Sequence, residues 1–398
     1  MPWSGKDTDF AAVLAASATA WGTSTDLIAG SRILVNKTGP PFGLPEYKVR
    51  ETTDTAWPEQ LDQGDVKAVE YTLEVPLCYN NTTGTDPITQ ILLAVLTAGD
   101  TSTQQGGTAA YLHTLGIVSG QALADYIFRF ATLCWRHKLT AAGYAYAEIP
   151  CWQPESFEIE SKGGGTDPVM LKVTGKGDRV VTNLSASPAN NGATEWTTAG
   201  NPVILPQVHH RHIGATGAWW AKSAAPGGSP VTFDATTYIN PSLIRIKANR
   251  KHDAKPTTTM YIDQPYDNGF AELSVDLEFD RMTDAFWTGI MDDQKAFEET
   301  GVEVAYHFRP RWTYPTAIVG SYYPYWEFGL PRLVVLNGPE LAAEAGKVMP
   351  FKLSLSALRP AAITHIPTCF QYAGGASGAS RDAMYAAVMD AKVAAYIA

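Results

Sequence analysis

The sequence predicts a mainly β protein made of two tandem β modules, each with a flanking α-helix. Three observations support this fold class: the composition, the alternation of apolar and polar residues in two segments, and the recurrence of one strand-and-helix pattern. The chain has 398 residues, of which 34 are glycine, 26 are proline and 18% are charged. Few charges combined with many turn residues are typical of β-rich proteins with long ordered loops.

The clearest strand-and-helix pattern lies at residues 273–292, LSVDLEFDRMTDAFWTGIMD. Apolar and polar residues alternate strictly over 273–280, which predicts a strand with one buried face. Thr283-Asp284 then forms a helix N-cap signal. The apolar residues that follow it fall on one helical face. These are Phe286, Trp287, Ile290 and Met291.

The same pattern occurs in the first half of the chain. Residues 69–77, VEYTLEVPL, alternate in the same way, and Thr85-Asp86-Pro87 supplies a cap followed by a proline suited to the first helical turn. We therefore predict helices that begin near Thr85-Asp86 and Thr283-Asp284. The recurrence indicates an internal duplication. The alternative is that β proteins reuse similar hairpins without any duplication.

Other segments match between the two halves in the same order. The shared order supports two modules, each built as strand, long loop, strand, helix and further strands. The matching pairs are 26–39 with 240–253, 146–152 with 326–332, and 168–181 with 348–360.

Composition changes predict the division of the chain. Residues 186–238 are rich in Gly, Pro, Ser, Thr and Ala, which favours a linker or loop insertion. From Ser380 an Ala-rich stretch predicts a C-terminal helix. The predicted units are an N-terminal arm (1–26), module one (27–185), the linker (186–238), module two (239–360) and a C-terminal extension (361–398).

Charge and cysteine content exclude several classes of protein. The formal net charge is -10, which is unsuited to wrapping nucleic acid, since phosphate binding needs an excess of Lys and Arg. The four cysteines have no CxxC spacing, so we expect reduced thiols. No apolar run reaches membrane-spanning length. Asp7 and Asp9 precede the Ala-rich N-terminal stretch, which argues against a signal peptide and for a cytoplasmic origin.

The sequence contains no convincing catalytic motif. HHRH at 209–212 places His209, His210 and His212 together, but neighbouring residues of a strand point to opposite faces and no further ligand cluster closes a site. We therefore expect no bound metal, no cofactor and no enzymatic activity. A hydrolase that uses this histidine loop remains the alternative.

Two clusters are candidate interfaces. The basic stretch 240–255 lacks the interleaved aromatic residues that stack on bases, so we expect it to contact an acidic neighbouring subunit. The aromatic stretch YYPYWEF at 322–328 is either an interface or a sugar-stacking platform, and interfaces are enriched in such residues. The predicted interface residues are Trp3, Trp21, Arg245, Lys247, Arg250, Tyr322, Tyr323 and Trp326.

The duplicated layout resembles the tail tube (major tail) protein of long-tailed bacteriophages. The resemblance lies in NPSLIRIKANRKHD, FAELSVDLEFDRMTDAFW and WEFGLPRLVVLNGPE, continuing to GKVMPFKLSLSAL, with their first-half counterparts. It covers about 27–182 and 240–360 and concerns pattern and order. Most members have one module per chain, so this sequence differs by having two.

The resemblance implies a structural virion protein. In that family each module is a β-sandwich or β-barrel with a flanking α-helix, so the resemblance implies two tandem modules of this kind here. The modules of the family join their sheets side by side into rings, and the rings stack into a hollow tube that conducts DNA without binding it specifically. Other tail proteins would be partners, and assembly would take place in the host cytoplasm. If six modules close a ring, three copies of this chain would do so. The alternative is another virion β-sandwich protein for adsorption or carbohydrate binding.

The resemblance also leads us to expect that some carboxylates line the channel. Glu70 and Glu74 lie on the polar face of one predicted strand, and Asp276 and Glu278 on that of its counterpart. Their charge would repel DNA phosphates. The alternative is that they pair with Arg245, Lys247 or Arg250 on an adjacent strand.

Overall fold

The structure, a computed structural model, is mainly β, which confirms that part of the predicted fold class. It describes residues 8–15, 19–33, 47–50, 60–63, 68–77, 101–116, 130–139, 143–163, 167–182, 188–200, 217–223, 238–255, 262–267, 272–280, 283–337, 351–358 and 385–391.

The described residues form twenty strands and two helices. The strands of the first half are β1 (Thr8–Leu14), β2 (Arg32–Ile33), β3 (Tyr47–Arg50), β4 (Gln60–Gln63), β5 (Val69–Pro76), β6 (Thr101–Gln104), β7 (Tyr111–Gly116), β8 (Ala131–Lys138), β9 (Tyr144–Lys162), β10 (Met170–Gly177) and β11 (Val181–Thr182). Then come α1 (Ala193–Thr198), β12 (Ala218–Lys222), β13 (Leu243–Asn249), β14 (His252–Asp253), β15 (Tyr266–Asp267), β16 (Glu272–Phe279), α2 (Asp284–Thr300), β17 (Tyr306–Thr313), β18 (Tyr325–Asn337), β19 (Phe351–Ala357) and β20 (Tyr385–Asp390).

Sixteen of these strands belong to one continuous antiparallel sheet. One ladder runs β1–β8–β9–β10–β5, and another runs β12–β17–β18–β19–β16. Strand β13 pairs with β9 on one side and with β16 on the other, so it joins the two ladders. The pairs β3–β4 and β14–β15 form two small separate sheets.

The predicted alternation of 273–280 is confirmed in β16. Leu273, Val275, Leu277 and Phe279 are buried, and the residues between them face the other way. Strand β5 shows the same pattern, with Tyr71, Leu73 and Val75 buried. Because strand side chains point alternately to opposite faces, each of these segments buries one face and leaves the other polar.

A row of aliphatic side chains crosses the joined ladders and forms the centre of the core. The row passes through the cross-strand register from β5 to β19 without a polar residue, and all of its members are buried. Each such side chain contributes about 1.5–3 kcal/mol by leaving water. The row is Val75, Leu171, Ile159, Ile246, Val275 and Leu355.

The long strands β9 and β18 each bend at two irregularities in the register. In β9, Pro150 and Cys151 oppose the single residue Thr132 of β8, and in β18, Pro331 and Arg332 oppose His307 of β17. Proline has no N–H for the ladder, which explains why it occupies a bulge.

A second bulge follows in each of these strands. The register with β10 skips Glu155 of β9, and the register with β19 skips Leu336 of β18. Bulges increase the local twist, so each long strand can change direction between its first and second set of partners.

Helix α2 begins where the sequence predicts. The side chain of Thr283 accepts a hydrogen bond from the Phe286 N–H at 3.3 Å, and Gly301 ends the helix in the left-handed region at φ 67°. Phe286 packs against Phe279 with ring centroids 5.5 Å apart, and Trp287 packs against Phe351 at 5.0 Å. The helix predicted near Thr85-Asp86 lies outside the described residues.

One residue of the predicted apolar helix face is not buried. Met291 is exposed, whereas Ile290 beside it is buried. The first turns of α2 pack on the sheet, and most of the residues from Met291 onward are solvent-exposed.

The helix predicted from Ser380 is wrong. Residues 385–390 form β20, which pairs with β18 on one side and β7 on the other. Ala386, Ala387 and Val388 are all buried. Pairing on both edges and burial of both faces outweigh the helical propensity of alanine, which is a weak preference.

The predicted arm and linker contain regular structure that composition did not indicate. Within 1–26, β1 pairs with β8 over seven residues, and Phe10 lies in the core. Within 186–238, β12 pairs with β17, and α1 buries Trp196. The strand predicted in 26–39 is present only as β2, which pairs with β1, and residues 34–39 lie outside the described residues.

The cap of α2 can be tested by substitution. We expect Thr283→Ala to lower the free energy of unfolding by about 1 kcal/mol, because the Phe286 N–H loses its side-chain acceptor and keeps only the Thr283 carbonyl. Thr288→Ala is the matched control on an exposed turn of the same helix and should be neutral or slightly stabilising. Urea unfolding of both variants measures this. Equal effects of the two substitutions would contradict the capping role.

Candidate functional surface

Among the described residues, the candidate functional surface is the polar face of the joined sheet. We define the polar face as the side chains of β5, β10, β9 (from residue 156), β13, β16 and β19 that point away from the core. The described residues of these strands bear seven carboxylates and six cations. The acids are Glu70, Glu74, Glu158, Glu160, Glu272, Asp276 and Glu278, and the bases are Lys162, Lys172, Lys176, Arg245, Lys247 and Lys352.

Arg245 contacts two carboxylates of the neighbouring strand on the polar face. Its Nε lies 2.9 Å from Glu158 Oε1 and 3.0 Å from Glu160 Oε2 on the neighbouring strand. The Lys162 ammonium lies 2.6 Å from the other oxygen of Glu160. A planar guanidinium suits such shared contacts, because its donors are fixed in a fork.

The second half of the polar face contains further pairs. Lys247 Nζ lies 3.7 Å from Asp276 Oδ2, and the Ser354 hydroxyl donates to Asp276 Oδ1 at 2.8 Å. Lys352 Nζ lies 3.1 Å from Glu278 Oε1. Single exposed pairs contribute little to stability, so the arrangement matters more than the strength of each pair.

Charges of opposite sign alternate from strand to strand. One register row reads Glu74, Lys172, Glu158 and Lys247 across four strands. The next row reads Glu160, Arg245 and Asp276 and ends at Ser354. Within these two rows each charge therefore lies opposite at least one charge of the other sign, which is the favourable arrangement for facing residues.

The ion pairs shift two pKa values. Burial acts to raise the pKa of the Glu160 carboxyl, but hydrogen bonds from Lys162 and Arg245 outweigh it, and the pKa lies below its usual value. The hydrogen bond to Glu160 raises the pKa of Arg245. Since the Glu160 pKa is depressed on folding, the stability it adds is present above the usual Glu pKa and is lost as the pH falls through the folded value.

The four carboxylates predicted to line a channel lie on this one polar face. Glu70 is exposed, and Glu74, Asp276 and Glu278 are partly buried. The predicted alternative also holds in part, because Lys247 pairs with Asp276. Lys352, which sequence reasoning missed, pairs with Glu278. Its polar position in the alternating stretch FKLSLSA was the available signal. That this face lines a channel stays a prediction.

The predicted interface residues are not all at the surface. Arg245 and Lys247 lie on the polar face, whereas Arg250 is buried within the chain. Trp21 is partly buried, and its indole N–H donates to the Ile262 carbonyl at 2.9 Å. Trp3 lies outside the described residues.

The aromatic stretch at 322–328 belongs largely to the core. Trp326 is only 1% exposed, so its prediction as an interface residue is wrong. Alternation along β18 turns Trp326 and Phe328 inward, where Phe328 packs against Trp312 at 6.1 Å. Tyr322 is partly buried, and Tyr323 is 42% exposed. With Trp312 also buried, the stretch does not form an open sugar-stacking platform.

A buried ionic cluster connects β17 and β18. Arg309 Nη2 lies 2.8 Å from Glu327 Oε1, and Arg311 contacts the other oxygen of the same carboxylate. The Arg311 guanidinium also lies over the Tyr325 ring, 4.1 Å from its centroid. All three charged side chains are buried. Sequence reasoning missed this cluster, because polar residues inside a strand ordinarily predict an exposed face.

Glu148 is the centre of another buried network. Its carboxylate accepts hydrogen bonds from the Ser24 hydroxyl and from the backbone and side-chain N–H groups of Asn190, the latter two at 3.1 and 3.0 Å. These bonds attach residues 19–27 and 188–190 to β9. Burial and the nearby Glu148 raise the pKa of the Cys134 thiol, which lies 3.7 Å from that carboxylate.

The described part of the chain contains no group of three or more His, Cys, Asp or Glu residues placed to hold a metal ion. His209, His210 and His212 lie outside the described residues, so the expectation of no metal there stays a prediction. No described helix is long and apolar enough to cross a membrane.

Comparisons with known proteins leave the sheet geometry as the basis for a functional argument. A scan against protein-family models finds no match, and no curated protein matches the sequence.

The buried ionic cluster gives a stability prediction. Glu327→Ala would leave two buried guanidinium groups without their carboxylate, and we expect a loss of about 3–5 kcal/mol in the free energy of unfolding. Glu303→Ala is the matched control, because Glu303 pairs with Arg332 at the exposed surface. It should cost less than about 1 kcal/mol. Denaturant unfolding that gave equal losses would contradict the prediction.

The described cysteines give a reactivity prediction. Cys134 and Cys151 are buried, and burial raises the pKa of Cys151 to about 12. Since the thiolate is the reactive form, we expect neither residue to react with iodoacetamide at pH 8 in the folded protein and both to react in urea. Peptide mapping by mass spectrometry distinguishes them from Cys78 and Cys369. Rapid native labelling of Cys151 would show that the site opens.

Proposed function

We propose that the chain is the subunit of a hollow tube of the bacteriophage tail type. Copies join edge to edge into rings, the rings stack, and DNA passes through the channel. The observation that carries this proposal is the position of β13. This strand joins two similarly ordered ladders, because its backbone pairs on both of its edges. The protein would be a non-enzymatic structural component of the virion tail, assembled in the host cytoplasm with other tail proteins.

The order of pairing supports two copies of one module. In the first half, β5 pairs with β10, β10 with β9, β9 with β8, and β8 with β1. In the second half, β16 pairs with β19, β19 with β18, β18 with β17, and β17 with β12. With β1 and β12 set aside as preceding strands, each ladder keeps four strands. In both, the first strand in sequence pairs with the last at one end of the ladder, and the second strand lies at the other end.

The bulges support the same correspondence. Pro150 and Pro331 occupy equivalent two-against-one bulges, and Glu155 and Leu336 are the skipped residues of the next bulges. Bulges are retained within families because they set strand direction. Two matching bulges at the same points of two ladders favour a duplication over the chance reuse of hairpins.

The joint at β13 supports growth by edge-to-edge pairing. Strand β13 pairs over seven residues with β16 of its own half and over seven residues with β9 of the other half. Strand β5 is the first-half counterpart of β16, and among the described residues it pairs only with β10. An open strand edge invites pairing with another chain.

Repetition of the joint between chains would close a ring. A contact in which one chain uses one sheet edge and its neighbour uses a different edge is heterologous. Such contacts close a ring only when the rotations between successive chains sum to a full turn. In the repeated joint, β18 would take the place of β9, because it is the second-half counterpart of that strand. Strand β18 continues into residues 338–350, which lie outside the described residues. With two modules per chain, closure at six modules requires three copies and gives a trimer with pseudo-sixfold symmetry.

Electron microscopy of the purified protein tests the proposal. We expect rings or tubes, and symmetry analysis should give three chains per ring. Mass measurement by light scattering on isolated rings provides an independent count. A ring of six chains would contradict the stoichiometry, since it would hold twelve modules, and a monomer under all assembly conditions would contradict the tube itself.

A further inference from the structure

The charge of the polar face differs from the charge of the whole chain. The chain has 40 acidic and 30 basic residues, whereas the described strands of the polar face bear seven acids and six bases. The seventh acid, Glu272, contacts Lys251 just beyond the end of β13. The acidic excess of the protein therefore lies elsewhere, and this face is close to neutral.

The spacing of the alternating charges determines how far their field extends. Neighbouring strands lie about 4.8 Å apart, so the sign of the charge repeats about every 10 Å across the sheet. The potential of such an alternating array falls e-fold over about one sixth of its period, roughly 1.5 Å, because opposite charges cancel at distances beyond their separation. One or two layers of water are enough to hide the pattern from a charge above it.

We propose that the polar face is a charge-cancelled surface over which duplex DNA moves without being bound. Six cations face the channel, but each lies beside a carboxylate of its own strand or of a neighbouring strand, so no cation is free to gather phosphates. The inference rests on the proposed function, since it assigns the polar face to the channel wall. In this inference DNA is not repelled by an excess of negative charge. Instead, the opposite charges of neighbouring side chains cancel each other locally.

The carboxylates, rather than the cations, are the residues that keep DNA from binding. Arg245 contacts Glu158 and Glu160 and lies opposite Asp276 in the register. Lys247 also lies opposite Glu158 and contacts Asp276. Neutralising these three acids would uncover Arg245 and Lys247 and would also remove the Glu160 partner of Lys162. Uncovered cations bind phosphates through release of counterions.

A matched pair of triple variants tests this in the unassembled full-length chain. The face variant carries Glu158→Gln, Glu160→Gln and Asp276→Asn, and leaves four carboxylates against six cations. The control carries Glu298→Gln, Glu299→Gln and Asp292→Asn on the exposed side of α2. Both change the net charge of the chain by the same amount and with the same residue types. The probe is a labelled 30-base-pair DNA duplex, followed by fluorescence anisotropy.

We expect the natural chain and the control not to bind the duplex at 50 mM salt and the face variant to bind it. With an excess of two cations, the affinity of the face variant should fall about twelvefold between 50 and 200 mM salt. Binding by the natural chain, equal binding by both variants, or a folded face variant that does not bind would each overturn the inference.

A milder variant covers the case in which the triple face variant does not fold. Glu70→Gln with Glu74→Gln changes only β5, where Glu70 is exposed, and leaves five carboxylates against six cations. Weak, salt-sensitive binding is expected, and its absence in the folded double variant would count against the inference. Microscopy of the natural chain separates the two proposals: absence of rings contradicts the tube, whereas rings with a face variant that does not bind DNA contradict only charge cancellation.

Discussion

Strand β13 is paired on both of its edges, and the rest of the sheet depends on this double pairing. Its partners β9 and β16 come from different halves of the chain, so one seven-residue strand turns two ladders into one sheet. The apolar row passes without a break through Ile246, and the polar face continues on the other side through Arg245 and Lys247. The core and the polar face are therefore both continuous, because the backbone pairing continues through β13 from one ladder to the other.

The long strands transmit this continuity to the outer parts of the sheet. Strand β9 extends over 19 residues and β18 over 13, and each pairs first with one neighbour and then with another. Their bulges at Pro150 and Pro331 allow the change of direction without ending the strand. A straight strand of the same length would keep the same partners and leave the ladders flat.

Local patterns predicted the elements whose environment is local. The alternation in β16 and the Thr283 cap each depend on a few adjacent residues, and both were predicted correctly. The strand β20 was not, because its conformation is decided by β18 and β7, which are distant in sequence. The burial of Trp326 and of the Arg309–Glu327–Arg311 cluster depends likewise on how strands meet. Carboxylates on the polar face were predicted, whereas most of their partner cations required the cross-strand register.

The position of β20 determines when the sheet can be completed during synthesis. Its neighbours are β18 and β7, and on a ribosome β7 is made long before residues 385–390 emerge. Pairings between segments so far apart in sequence form late, since a large loop must close first. The flank of the sheet that contains β6 and β7 can dock on the second half only when the last described strand has been synthesised. In a nascent chain, the pairing of β7 with β20 therefore takes place long after β7 has been synthesised.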